Sequence, residues 1–241
     1  MKLLSIGNSF SQDAQRYLAG VARADGFGVR TVNLMIGGCS LARHYRNMLS
    51  GEDAYTFEQN GVSTALAVSL KTALLSDDFD VITLQQLSSD APRYETYQPY
   101  LSELASFVRR HQPRAKILLQ ETWAYEQGSA RLTAELGYAN EAEMTADLQT
   151  AYAKAAADIA ADGIIPSATV FAAARALGAE KLHRDTFHAS LGLGRYLLAL
   201  TWYAKVSGRS VLGNAYRDFD VPVSEEEIAI AQKAVTLTLF P

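Results

Sequence analysis

Short, mostly apolar runs alternate with long stretches of helical periodicity along this chain, and this alternation most constrains its fold. The apolar runs cover residues 3–6, 29–34, 81–84, 117–119 and 163–165. The stretches with apolar residues at helical spacing cover residues 12–23, 99–111, 145–162, 190–206 and 224–237. Short continuous apolar runs are typical of strands that are buried on both faces. The alternation therefore predicts an α/β fold, in which right-handed crossovers build a parallel sheet between layers of helices.

No internal repeat, low-complexity tract or linker divides the chain, so we expect one domain over residues 1–241. The 241 residues, of which 49% are hydrophobic and 20% charged, are enough to bury one large core. Residues 48–67 leave two alternatives open. They form either a β-hairpin that turns at Asn60-Gly61 or a long excursion near the functional site.

Charge and composition disfavour several classes of partner. The net charge is −4 at pH 7 and the sequence pI is near 5.6. Lys and Arg are scattered, whereas nucleic-acid binding needs clustered cations. No apolar run approaches the roughly 20 residues that span a bilayer. We therefore expect a small-molecule partner, with no nucleic acid and no membrane. Met1-Lys2 leads directly into a predicted strand without a signal peptide, which predicts a cytoplasmic location.

Polar segments follow four of the predicted strands, and in an open parallel sheet ligands bind beyond the carboxyl ends of the strands. The segments are Gly7-Asn8-Ser9, residues 36–40, residues 85–88 and residues 120–123. A fifth polar segment, HRDTFH, stands ahead of an apolar helix in the last third of the chain. We expect the functional site where these segments meet.

Ser9 has two interpretations. A serine before a helix is most often an N-cap that accepts an orphan amide hydrogen. At a strand-to-helix turn it can also be a nucleophile, because the helix N-terminus offers N–H groups where negative charge develops. A nucleophilic serine needs a base, and the base needs a carboxylate that fixes its tautomer. Asp185 and His188 can supply both from one loop, although a surface Asp and a capping His is the commoner interpretation of that spacing.

Two further residues could stabilise an oxyanion. Gly38, after the second strand, lets a backbone N–H approach a substrate closely, and Gln85, after the third, carries an amide NH₂. A turn glycine and a loop amide are the plainer interpretations. Trp123 and Tyr125 form either an aromatic wall for a substrate or part of the core, and Glu121 either orients its loop or is solvated.

The only cysteine, Cys39, lies beside Gly38 as a rival nucleophile, but a small buried residue is the simpler interpretation. A lone cysteine can form no intrachain disulfide and no cysteine metal cluster. The other histidines fit the role of the base less well, because the arginine neighbours of His44 and His111 indicate solvated faces and His183 lacks a downstream carboxylate at the spacing of Asp185 and His188. No set of His, Asp and Glu has metal-ligand spacing, so we expect no metal and no cofactor.

Together these blocks resemble the SGNH (GDSL-like) hydrolase superfamily. Gly7-Asn8-Ser9 matches its G-D-S or G-N-S turn. Gly38, rather than Gly37, matches the glycine after its second strand. Asp185 and His188 match its C-terminal D-x-x-H block. The resemblance extends over nearly the whole chain to a bacterial branch with GNSFSQDA, DVITLQQLS, ETWAY and RDTFHASLGLGRYLLALTWY blocks.

The third block departs from the usual G-x-N-D of the superfamily. VITLQQLS is similar to the glutamine version in members that deacetylate sugars. That similarity implies Gln85 as an oxyanion donor, with Gln86 as the fallback. It also favours short acyl esters, above all acetyl groups on a carbohydrate.

The resemblance implies a three-layer α/β/α sandwich with a flavodoxin-like, five-stranded parallel sheet in the order 2-1-3-4-5. It implies a serine esterase in which Ser9 attacks the ester, His188 moves the proton and Asp185 orients His188. The backbone amides of Ser9 and Gly38 would hold the oxyanion together with Gln85. Substrate contacts are expected from Asn8, Trp123 and Tyr125, and Ser11 is then expected to cap the helix after Ser9. The alternatives are a lipid or thioester acyl hydrolase and a non-catalytic, flavodoxin-like ligand-binding protein.

Overall fold

A seven-stranded sheet forms the middle layer of the computed structural model, which describes residues 1–240. The strands are β1 (Lys2–Gly7), β2 (Arg30–Met35), β3 (Tyr55–Gln59), β4 (Val62–Val68), β5 (Val81–Leu84), β6 (Lys116–Gln120) and β7 (Gly163–Ile165). Their order across the sheet is β4-β3-β2-β1-β5-β6-β7.

The helices are α1 (Ser9–Gln15), α2 (Leu18–Ala24), α3 (Leu41–Ser50), α4 (Leu70–Leu74), α5 (Tyr100–His111), α6 (Glu141–Asp158), α7 (Ser167–Ala176), α8 (Leu193–Ser207) and α9 (Glu225–Leu239). A 3₁₀ turn covers Tyr94–Thr96, and a single π-helical turn covers Arg131–Glu135. Helices α1, α2, α8 and α9 pack together, and α3, α4 and α5 form a second group. The helices flank the sheet, as the sequence predicts.

The five predicted strands are β1, β2, β5, β6 and β7, and all pairings among these five are parallel. Their order in the sheet, β2-β1-β5-β6-β7, is the predicted order 2-1-3-4-5. In this arrangement the carboxyl ends of β1, β2, β5 and β6 meet at one edge. The segments that follow these ends supply most of the site.

The expected count of five strands is wrong, because a hairpin of β3 and β4 adds two antiparallel strands beside β2. This hairpin decides between the two alternatives for residues 48–67. It turns at Asn60-Gly61, whose φ angles are both positive (51° and 76°), as a type I′ turn requires. All residues of β4 but Val68 are exposed, so this strand lacks the buried apolar run by which the other five are recognised.

The predicted helix over residues 12–23 is two helices, and the first begins earlier than expected. Helix α1 starts at Ser9 because Asn8, in an extended conformation, caps it. Asn8 Oδ1 accepts from the Phe10 N–H, and Ser11 Oγ accepts from the Asn8 N–H, which together form a capping box. The expectation that Ser11 is the cap is therefore corrected: Asn8 is the cap and Ser11 its reciprocal partner.

Candidate active site

The Ser9 turn is built by local contacts at the end of β1. Gly7 permits the close approach of Ser11, since a Cβ atom at Gly7 would lie 2.1 Å from Ser11 Oγ. The capping box of Asn8 then starts α1 immediately, which leaves Ser9 as its first residue and at the carboxyl edge of the sheet. The strand-to-helix turn predicted from the sequence is therefore present.

The structure brings Ser9, His188 and Asp185 together, although 179 positions separate Ser9 and His188. Ser9 Oγ lies 2.8 Å from His188 Nε2. His188 Nδ1 lies 2.8 Å from Asp185 Oδ2, and the His188 N–H donates to Asp185 Oδ1 at 2.9 Å. Both ring nitrogens are thus engaged, in the order hydroxyl, imidazole and carboxylate that activates a serine.

Asp185 is equipped to remain ionised beside the imidazole. Partial burial raises its pKa, but the side-chain and backbone hydrogen bonds from His188 and the charges of His188 and Arg184 outweigh that cost. The net effect holds the pKa of Asp185 below its usual value. An anionic Asp185 favours the tautomer of His188 that carries hydrogen on Nδ1 and a lone pair on Nε2, toward Ser9.

The loop that carries Asp185 and His188 is held by hydrogen bonds from the segment after β6. The Glu126 N–H donates to Thr186 O at 2.7 Å, and Trp123 Nε1 donates to Phe187 O at 2.8 Å. Thr186 has a φ of 75°, a left-handed conformation that is strained for a β-branched residue. Such strain persists where surrounding contacts fix the backbone, and it clusters at functional sites.

Two residues of the cleft lining have backbone amides without an acceptor within residues 1–240. Within residues 1–240, no hydrogen bond engages the N–H of Ser9 or that of Gly38. Gly38 has a φ of 61° in a turn closed by the Cys39 N–H to Ile36 O, a conformation that favours glycine. Both residues line the cleft, where they can donate to an oxyanion.

The geometry does not support the expected oxyanion roles of Gln85 and Gln86. Gln85 is buried outside the cleft lining, and its Nε2 donates to Asn8 Oδ1 at 2.6 Å. Gln86 is also buried, and its side chain bonds the Leu41 N–H and Thr96. Asn8 takes the amide of Gln85 because the cap position places Oδ1 directly against it. Gln85 therefore fixes the turn rather than facing a substrate.

Asn8 links the Ser9 turn to the Gly38 turn. Its Nδ2 donates to Cys39 O at 3.0 Å, while its Oδ1 accepts from Gln85 and the Phe10 N–H. Asn8 is among the cleft-lining residues, but its side chain is fully buried. Its contacts hold the two amide donors in register, so the expected substrate contact is replaced by a supporting one.

Of the two aromatic residues after β6, Trp123 belongs to the core and Tyr125 to the cleft. Trp123 is fully buried between Phe10 and Phe171, at ring-centroid distances of 4.2 and 4.9 Å. The expected substrate contact of Trp123 is thus wrong, because neighbouring rings cover both of its faces. Tyr125 lines the cleft, and its Oη lies 2.9 Å from Ser88 Oγ.

The cleft has a volume of about 480 Å³ and a mixed lining, in which apolar surface exceeds polar surface. It is lined by Asn8, Ser9, Phe10, Gly37, Gly38, Leu87, Ser88, Ser89, Tyr125, Arg131, Glu135, Phe187 and His188. Sequence reasoning missed Arg131 and Glu135, which lie on the π-helical turn and follow no strand. The guanidinium of Arg131 lies 4.1 Å from the centre of the Phe187 ring, a cation–π contact at the cleft wall.

Cys39 is no competitor to Ser9. It is fully buried, and burial raises the pKa of its thiol to about 12, so no reactive thiolate forms near neutral pH. His44 Nδ1 lies 3.5 Å from Cys39 Sγ, but burial lowers the pKa of His44 to about 3, and this ring also contacts the Tyr55 hydroxyl. The pair is therefore neutral and belongs to the core.

Glu121 is buried rather than solvated, at the base of the segment that holds the Asp185–His188 loop. Its Oε2 accepts from the Ala168 N–H in the first turn of α7 at 3.2 Å. Desolvation raises the pKa of Glu121 to about 7, although the hydrogen bonds from the Thr169 and Ala168 amides oppose that shift. Glu121 is therefore not solvated, and its contact joins the segment after β6 to the first turn of α7.

Residues 1–240 contain no group of three or more His, Cys, Asp or Glu side chains placed to hold a metal ion. No helix in the same range is both long and apolar enough to cross a membrane.

Comparison with known proteins identifies the family. The family model described as "Domain of unknown function (DUF4886)" matches residues 2–236. The chain belongs to the DUF4886 family. A crystal structure of a DUF4886 protein from Bacteroides uniformis is 32% identical to it, with a TM-score of 0.91 over 100% of this chain and 95% of that one. A search of curated proteins finds no match.

More distant structures relate this DUF4886 fold to the SGNH hydrolases. A candidate SGNH hydrolase from Slackia heliotrinireducens is 25% identical, with a TM-score of 0.62 over 86% of this chain and 98% of that one. A catalytic mutant of an acetylxylan esterase from Geobacillus stearothermophilus is 16% identical, with a TM-score of 0.54 over 87% and 95% of the two chains. The fold expected from the resemblance to SGNH hydrolases is therefore confirmed.

Proposed function

We propose that this DUF4886 protein is a serine hydrolase that cleaves short-chain acyl esters, with acetyl esters of carbohydrates as the preferred class. The observation that carries the proposal is a continuous series of side-chain contacts. Ser9 Oγ lies 2.8 Å from His188 Nε2, and His188 Nδ1 lies 2.8 Å from Asp185 Oδ2. These contacts lie at the carboxyl edge of the sheet, and Ser9 and His188 line the cleft.

In the proposed mechanism, Ser9 Oγ attacks the ester carbonyl while His188 Nε2 takes the serine proton. The tetrahedral oxyanion receives hydrogen bonds from the N–H groups of Ser9 and Gly38. Collapse breaks the bond to the alcohol, which takes the proton from His188, and leaves an acyl group on Ser9. Water then attacks the acyl-enzyme with His188 as the base, which releases the acid and restores Ser9.

The polar side chains of the cleft lining support a substrate that carries hydroxyl groups. Ser88, Ser89, Tyr125, Arg131 and Glu135 all offer groups that hydrogen-bond to hydroxyls. Phe10, Leu87 and Phe187 supply apolar surface that can cover the acyl group. The contact between Ser9 and His188 also argues against a non-catalytic ligand-binding protein.

The test compares p-nitrophenyl acetate, butyrate and octanoate with a peracetylated disaccharide, for the wild type and Ser9→Ala. We expect the highest kcat/KM on acetyl esters and release of acetate from the sugar, both abolished in Ser9→Ala. Full activity of Ser9→Ala would refute the assigned nucleophile. A maximum on octanoate would replace the proposed substrate class by the lipid alternative, and inertness of the wild type on every ester would refute esterase activity.

A further inference from the structure

A buried carboxylate lies one helical turn after Ser9. The side chain of Asp13 on α1 is fully buried, and it accepts hydrogen bonds from two arginines. Arg184 donates to Asp13 Oδ1 and Oδ2 at 2.9 and 2.8 Å, and Arg195 Nε donates to Oδ1 at 2.9 Å. A buried charge is costly unless it is paired, so Asp13 depends on these partners.

Arg184 directly precedes Asp185 and also braces the loop of the D-x-x-H block. Its backbone N–H donates to His188 O at 3.1 Å, and its guanidinium donates to Ala189 O at 2.5 Å. The guanidinium that binds Asp13 on the helix of Ser9 thus also binds the far end of the loop that carries His188. One side chain connects the two halves of the site.

Arg195 on α8 shares the carboxylate of Asp13 but not the loop. Besides Asp13, its guanidinium bonds Asp220, which Arg16 also binds. Within residues 1–240, no side-chain hydrogen bond from Arg195 reaches residues 184–189. The two arginines are therefore similar in their contact with Asp13 and differ in their contact with the loop.

We propose that Asp13 and Arg184 are positioning residues that hold His188 and Asp185 in register with Ser9. The pair ties the acid–base loop to the helix of the nucleophile, and it keeps the strained loop closed around Thr186. This inference rests on the proposed function for its kinetic consequence, but the placement of His188 beside Asp185 can be measured without activity.

The kinetic test compares Arg184→Gln with the matched variant Arg195→Gln on an acetyl ester. We expect Arg184→Gln to lower kcat about 10²-fold, because a displacement near 1 Å at the reacting groups costs roughly that factor, with KM changed less than threefold. Arg195→Gln should keep kcat within about threefold, although it also removes an arginine from Asp13. Arg184→Lys should restore part of kcat. Equal losses of kcat in the two glutamine variants would overturn the proposal.

A spectroscopic test separates this inference from the proposed function. In the wild type, the His188 Nδ1 proton shared with Asp185 should give a downfield ¹H resonance at low temperature, assigned by its loss in His188→Gln. Arg184→Gln should broaden or shift this resonance upfield, whereas Arg195→Gln should leave it in place. An unchanged resonance in folded Arg184→Gln would overturn the positioning role even if the protein hydrolysed every ester. Full recovery of the resonance in Arg184→Lys would overturn it as well, because Lys keeps the charge near Asp185. A shift that Arg184→Lys reverses only in part would sustain the role even if no ester were cleaved.

Discussion

The Ser9 turn and the Asp185–His188 loop meet at one hydrogen bond but are built in opposite ways. The turn starts from its own neighbours, since Asn8 and Ser11 cap each other within four residues, and the contacts of Asn8 with Gln85 and Cys39 then fix it. The loop is held from distant parts of the chain, by Trp123 and Glu126 after β6 and by Asp13 on α1. The cap that places the nucleophile is therefore encoded within a few residues, whereas the position of the base depends on the assembled fold.

The largest expected effect comes from removing either end of the hydrogen bond where the two regions meet. Ser9→Ala and His188→Ala should each lower kcat by roughly 10⁶-fold, and the double variant should lose no more, because the two groups act as one unit. Single-turnover hydrolysis of p-nitrophenyl acetate measures all three. Losses that multiply in the double variant would show that Ser9 and His188 act independently.

The next effect concerns Glu121, which anchors the segment that holds the loop. The folded state keeps a proton on Glu121 up to about pH 7, whereas the unfolded state loses it near 4.5. The unfolded state therefore binds fewer protons in this window, and stability falls as the pH rises from 4.5 to 7. Glu121→Gln removes that fall. We expect it to exceed the wild type by roughly 3 kcal/mol at pH 8 and to equal it at pH 4.

Urea unfolding at pH 4, 6 and 8 measures this difference. Glu52→Gln serves as the matched control, because Glu52 is exposed and should unfold like the wild type at every pH. A constant difference between wild type and Glu121→Gln across the three pH values would show that Glu121 does not titrate between them.

A smaller effect isolates one of the distant bonds that hold the loop. Trp123→Phe keeps an aromatic ring but loses the hydrogen bond to Phe187 O. Trp202→Phe is the matched control, because Trp202 is equally buried and its Nε1 has no partner within residues 1–240. Both variants lose the same volume, but Trp123→Phe gives up a hydrogen bond and Trp202→Phe removes a buried donor that has no partner, so Trp123→Phe should be the less stable by roughly 1–3 kcal/mol in urea unfolding.

The same pair of variants also separates loop placement from general stability. Trp123→Phe should lower kcat about tenfold, which corresponds to about 1.4 kcal/mol in the barrier. Trp202→Phe should leave kcat unchanged. Equal kcat values in the two variants would remove Trp123 from the support of the loop.

The local turn could be predicted from the sequence, and most of the distant support could not. The residue types of Ser9, Asp185 and His188, with the spacing of the last two, indicate a serine nucleophile and its base. Continuous apolar runs indicate the five parallel strands. For Asp13 the sequence predicts only a position in a helix. Its partner Arg184 lies 171 positions away. No local pattern encodes such a pairing.

The sequence also could not decide which way a side chain points. The sequence predicts correctly that Gln85 follows a strand, but not that its side-chain amide donates to Asn8 Oδ1. It likewise left Trp123 between core and cleft, and only the packing of Phe10 and Phe171 decides the matter. The β4 strand cannot be predicted from an apolar run, because all its side chains but that of Val68 are exposed.

The smallest effect tests whether the loop is held by its contacts or by its own conformation. Thr186→Gly should relieve a left-handed strain of roughly 1–2 kcal/mol, from which the greater chain entropy of glycine removes about 0.5–1. We expect a net stabilisation of roughly 0–1.5 kcal/mol. Because the bonds from Glu126 and Trp123 go to the backbone and main-chain geometry is kept, kcat should remain within about threefold.

Ala65→Gly is the control for Thr186→Gly, because Ala65 also has a positive φ (59°) but lies in the exposed β4 strand, away from the cleft. Thermal unfolding and kcat on p-nitrophenyl acetate are measured for both. If Thr186→Gly alone lost more than tenfold in kcat while its stability rose, the strained residue itself would set the position of His188. The loop would then resemble the Ser9 turn in carrying its own geometry, and the contrast between the two regions would fail.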